Sequence, residues 1–83
     1  MTRTEIAGRL KTFLETEIYN QGVPLTETTE LLEEWFVDSI GIVETVLFIE
    51  TNFGISVSRA DINGTNFKSI ATLSEFVERR LQA

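Results

Sequence analysis

The sequence predicts an all-α fold: a small antiparallel bundle of three main helices plus a short third helix, with a long loop between helices one and two. Three observations carry that expectation. Apolar residues recur at helical spacing in three separate stretches, and cap and stop residues bound each stretch. No alternating runs flank a hairpin turn; Asn63-Gly64 is the only Asn-Gly pair, and a helical pattern follows it. The 83 residues suffice for one domain, residues 1–83, around a single small core.

The first helix is expected from about Thr4 to Ile18. Ile6, Leu10, Leu14 and Ile18 repeat every fourth residue, and Phe13 lies beside Leu10 and Leu14. Thr2 or Thr4 can cap it, and Glu5 suits its first turn, whereas Glu15 and Glu17 oppose the dipole at its end. Asn20-Gln21-Gly22 and Pro24 are stop signals.

Residues 20–38 form the long connection. Val23, Leu25, Leu31, Leu32, Trp35, Phe36 and Val37 are too many apolar groups for a disordered linker. A loop of this length in a compact domain is pinned or functional. Leu25 and one or both of Leu31 and Leu32 are its expected anchors, and Thr28 or Thr29 a cap for a turn over Glu30–Glu34. Trp35 reads equally as core, as a lid or as an exposed contact.

The second helix is expected from Ser39 to about Phe53, where Asn52 and Gly54 mark its end. Ile42, Val46, Ile49 and Phe53 form the stripe that should face the core. Ile40, Val43 and Leu47 form a second, offset stripe interleaved with Glu44 and Glu50. A surface helix needs only the first. The second either packs on a neighbouring segment or stays open for a partner or ligand. Gly41 costs about 1 kcal/mol of helix propensity and is expected to leave the backbone beside Ser39 accessible.

Ile55 and Val57 are expected to enter the core from an extended segment. Ser58 can cap a short helix over Arg59–Ile62 that ends at Asn63-Gly64. Ser69 caps the last helix, from about Ile70 to Leu81, with Leu73, Phe76, Val77 and Leu81 inward, Glu75 and Glu78 outward, and Arg79 and Arg80 at the favourable end of the dipole. A bundle this small needs most of its apolar residues for its core and leaves little room for a preformed cavity.

Composition narrows the chemistry. There is no cysteine and no histidine, so disulfides, thiolate metal sites and serine or cysteine triads of the usual kind are excluded. Asp61-x-Asn63-Gly64-x-Asn66 lacks the length and terminal Glu of a calcium loop and reads as a turn. No apolar run approaches the roughly 20 residues of a membrane span, and no signal-peptide pattern follows the N-terminus. The net charge is −6, and between Lys11 and Arg59 there is no basic residue but nine acidic ones. Such a field repels phosphate backbones and attracts basic protein surfaces. Asp38 and Ser39 stand at the start of the second helix, where unpartnered N–H groups favour negative charge. Either the two compete as caps, or Ser39 carries a phosphodiester in a compatible field.

Residues 31–54, with Asp38-Ser39-Ile40 heading an acidic amphipathic helix that ends at Phe53-Gly54, resemble the central region of acyl and peptidyl carrier proteins. The resemblance extends over the chain: a first helix, a long loop, the acidic helix, Gly54-Ile55-Ser56-Val57 leading into a short helix, and a final helix. It implies a four-helix bundle that catalyses nothing itself. The serine matching Ser39 receives 4′-phosphopantetheine from coenzyme A through a phosphopantetheinyl transferase. The thiol of that arm holds an acyl or aminoacyl group as a thioester for loading enzymes and downstream synthases, transferases or tailoring enzymes. By matching positions, Asp38, Ile40, Val43, Glu44, Leu47 and Glu50 form the recognition face of a cytoplasmic monomer. Ile40 stands for the usual leucine, Gly41 for an acidic residue and Trp35 for a small turn residue. The departures at Gly41 and Trp35 weaken an assignment to housekeeping fatty-acid synthesis, while Leu31-Leu32-Glu33 and the run from Ser39 to Glu44 look more like discrete carriers of polyketide, nonribosomal peptide or aminoacyl-transfer pathways; a domain of a larger synthase is an equal reading. The competing reading is an acidic adaptor that binds a basic partner protein without a prosthetic group.

Overall fold

The computed structural model describes residues 1–18, 25–31 and 39–82, with Ser39 described by its backbone alone. Trp35, Asp38, Leu32, Val23, Pro24 and the Glu33-Glu34 pair lie outside the described residues. Among the described residues three α-helices form the fold: α1 (Arg3–Phe13), α2 (Ser39–Phe53) and α3 (Ile70–Gln82). The described residues contain no strand. None of their helices is long and apolar enough to cross a membrane.

Thr2 starts α1 through a reciprocal cap. Its hydroxyl accepts the Glu5 N–H at 3.2 Å while the Glu5 carboxylate accepts the Thr2 N–H at 3.5 Å. Beyond Phe13 the helix widens into a π-helical turn, Leu14–Ile18, which helical periodicity alone does not distinguish from a continued α-helix. The expected stripe is inside: Ile6, Leu10 and Leu14 are fully buried, with Phe13 and Ile18 packed partly against the core.

The connection is pinned where it is described. Leu25 and Leu31 are buried in the core. The Leu31 N–H donates to the Lys68 carbonyl at 2.8 Å, and the Ala71 N–H to the Glu27 carbonyl at 3.0 Å. Arg3 pairs with Glu27 at 2.8 Å, joining α1 to the same segment. Glu15 accepts the Leu25 N–H at 2.6 Å and lies 3.5 Å from Lys11, so this carboxylate at the unfavourable end of α1 holds the loop. Thr29 accepts the Thr26 N–H at 3.1 Å, closing a turn over Thr26–Thr29.

The short third helix is reduced to one 3₁₀ turn, Arg59–Asp61, so the expected four-helix bundle is corrected to three α-helices among the described residues. The Asp61 carboxylate reaches back to the Ser58 N–H at 2.8 Å and hydroxyl at 2.9 Å. Asn63 Oδ1 then accepts the Thr65 and Asn66 N–H groups at 2.9 and 2.8 Å. These local side-chain bonds compete with helix continuation and end it. The Asp61–Asn66 stretch is thus a turn, as its composition suggested. Ser69 and Thr72 cap α3 reciprocally, Thr72 N–H to Ser69 Oγ at 3.3 Å and Ser69 N–H to Thr72 Oγ1 at 3.0 Å. Leu73, Phe76 and Val77 are buried as expected, together with Ile70 and Phe67, and α3 packs chiefly on α1. Leu81, expected inward, is 38% exposed. It lies in the last turn of α3, and the inward stripe ends one turn earlier, at Val77.

Candidate functional site

The candidate site is built on α2. Its 15 residues span about 22 Å. The helix begins at Ser39, the expected residue, and its first turn contains no acidic side chain. Its other end closes on Gly54, whose φ of 69° is the left-handed conformation a glycine adopts cheaply, with the Gly54 N–H donating to the Glu50 carbonyl at 3.1 Å.

The two stripes separate. Ile49 and Phe53 are buried, and Ile42 and Val46 pack partly against the core. Ile40, Val43 and Leu47 remain 68%, 53% and 56% exposed, so no described neighbour covers the second stripe. Glu44 is exposed beside it and makes no ion pair among the described residues. Glu50 differs: it is half-buried, and its carboxylate accepts the Val57 N–H at 2.9 Å, fixing the extended segment after α2. Gly41 is buried, which corrects the expectation of an accessible backbone there. Its carbonyl accepts the buried Thr45 hydroxyl at 2.8 Å, on the inward side of the helix.

Sequence reasoning placed Phe48 in neither stripe. In the fold it stacks on Phe13 of α1, with ring centroids 4.2 Å apart and planes inclined by 17°, and meets Phe53 edge-on at 6.0 Å. An open furrow of about 660 Å³ runs along this α1–α2 seam beside Gly8, Arg9 and Thr12. The signal was an apolar residue outside both helical stripes. Among the described residues, no group of three His, Cys, Asp or Glu side chains could hold a metal ion.

A scan against models of known protein families finds no match. Comparison with curated proteins finds an acyl carrier protein of Thermotoga maritima, 24% identical over 80 residues that make up 96% of this chain and 96% of that protein. The chain resembles an acyl carrier protein. The correspondence runs end to end, so the carrier-like likeness covers α1, α2 and α3 together rather than one motif.

Proposed function

We propose that the chain is a non-catalytic carrier whose Ser39 is modified with 4′-phosphopantetheine and which moves a thioester-bound acyl or aminoacyl group between enzymes. The observation that carries the reading is the coincidence of Ser39 with the first position of α2 in a chain of carrier-protein length and likeness.

The residues fit such a group. The N–H groups of the first turn of α2 lack intrahelical partners and favour a phosphodiester. No carboxylate within that turn opposes it. When attached, the arm supplies a terminal thiol that this cysteine-free chain lacks. In the modification, the Ser39 oxygen bonds to phosphorus, the pyrophosphate bond of coenzyme A breaks, adenosine bisphosphate leaves, and the serine proton passes to the transferase or to solvent. Asp38, just before the helix, would orient a cation or basic residue of that transferase.

Recognition would fall to Ile40, Val43 and Leu47, flanked by Glu44 and Glu50. Apolar burial among steering carboxylates makes contacts that form fast and release readily, as a shuttle requires. The partners are the transferase, a loading enzyme and downstream synthases, transferases or tailoring enzymes. A cytoplasmic location is part of the same reading. Gly41 and Trp35 count against housekeeping fatty-acid synthesis, which leaves polyketide, nonribosomal peptide or aminoacyl-transfer biosynthesis as the favoured setting, for a discrete carrier or a synthase domain alike.

The test is intact-mass analysis after incubation with coenzyme A and a broad-specificity phosphopantetheinyl transferase. One phosphopantetheinyl group should add to the wild type and none to Ser39→Ala. An unmodified wild type, or equal modification of both, would return the molecule to the class of acidic adaptors.

A further inference from the structure

The α1–α2 seam has features that neither the core nor the attachment of an arm requires. Phe13 and Phe48 stack on each other at the edge of the core, and both keep part of their surface open. Beside them the furrow continues over about 570 Å³, lined by Phe13, Glu17, Glu44, Leu47, Phe48 and Thr51. Glu17 and Glu44 are both exposed, and neither joins an ion pair among the described residues. Glu17 sits in the π-helical turn Leu14–Ile18, a rare geometry that recurs at functional sites. At the far end Gly8 lines the furrow, and a Cβ there would meet nothing within 4 Å, so no packing within the described chain demands a glycine.

We propose that this seam is a second docking surface, for a partner protein segment that presents an arginine flanked by apolar residues. The guanidinium would lie on the Phe13–Phe48 pair within reach of Glu17 and Glu44. Charge complementarity selects the occupant: Arg9 lines the far end of the furrow, but the end between Glu17 and Glu44 has two carboxylates and no basic residue in its lining. Phosphate backbones and anionic lipids are repelled by the same carboxylates. Arginine suits the site better than lysine because its planar, weakly hydrated cation stacks on aromatic faces while still pairing with carboxylates. Leu47 and Glu44 line this furrow and also border the exposed stripe of α2, so one partner segment can run across both. The proposal brings α1 into recognition through Phe13 and Glu17, and it does not depend on modification of Ser39.

The test is an NMR titration of the isotope-labelled full chain with a capped leucyl-arginyl-leucine peptide. Matched peptides carry citrulline or lysine in the central position. Shifts should cluster at Phe13, Glu17, Glu44 and Phe48, and should be the same in Ser39→Ala. Citrulline should bind about fivefold more weakly or worse, the scale of one exposed cation–π contact with its ion pair. Glu17→Gln, a surface change, should weaken the arginine peptide by a similar factor, and Phe48→Leu should narrow its advantage over lysine. If Phe48→Leu loses the spectrum of the folded chain, Glu17→Gln decides alone. Equal binding of the citrulline peptide, shifts confined to Ile40 and Val43, or no effect of Glu17→Gln would each overturn the proposal.

Discussion

The Asp61 carboxylate joins the segment after α2 to α3. It accepts two bonds from Ser58 and pairs with Arg80 at 2.5 Å, while the Arg80 guanidinium also lies 4.9 Å from the centre of the Phe76 ring. The Ser58 N–H holds its pKa below the ordinary aspartate value, against an opposing effect of burial and with further help from the Ser58 hydroxyl and Arg80. A depressed carboxylate pKa means that protonation favours the unfolded chain. The stabilisation is therefore complete above the ordinary aspartate range near pH 4 and is lost as pH falls through the lower folded value. Thermal unfolding followed from about pH 7 to about pH 3 should show a drop in Tm that is smaller in Asp61→Asn, which starts lower at neutral pH. A parallel acid dependence in the variant would show that other carboxylates govern the transition. Glu50 teaches a different lesson. Its position on α2 is legible as recognition, but its bond to the Val57 N–H gives it a structural task. Glu50→Ala should weaken partner binding and stability together, whereas Glu44→Gln should leave stability within about 0.5 kcal/mol.

Among the elements, α1 and α2 show which parts of a helix are written locally. The Thr2–Glu5 cap and the Gly54 terminus follow from residue types whose preferences act over a turn. The π-helical turn at Leu14 was not legible. It coincides with long-range contacts, Phe13 on Phe48 and Glu15 on the Leu25 N–H, that no local pattern encodes. The short third helix shrank to a 3₁₀ turn because Asp61 and Asn63 bond to nearby backbone N–H groups. Two glycines separate by conformation. Gly8 lies in α1 with open space where a Cβ would project, so Gly8→Ala should add about 0.5–1 kcal/mol. Gly54 has positive φ, so Gly54→Ala should cost about 1–2 kcal/mol despite equal space around it. Urea midpoints of the two variants should move in opposite directions; movement in the same direction would contradict this account of the Gly54 terminus.

Across the whole molecule, one small core supports α2 with its second apolar stripe left open. Phe67 is fully buried between the 3₁₀ turn and α3 in sequence, and Phe67→Ala should cost about 3–5 kcal/mol, a large share of the stability of a domain this size. Leu47→Ala removes a side chain of similar hydrophobic character that is 56% exposed, and should cost little by the same measurement. A large loss of stability in Leu47→Ala would mean that the second stripe is covered in solution.

The sequence by itself determined the helical class, most caps, the inward residues of α1 and the two-faced character of α2, because helical period and capping are properties of residues within a few positions of one another. Which face meets a neighbour was decided only in three dimensions. The fold leaves Ile40, Val43 and Leu47 open, buries Gly41, exposes Leu81 and stacks Phe48 on Phe13. Periodicity says which residues share a side of a helix, but covering that side depends on where the other helices lie, and that is settled by the packing of the whole core.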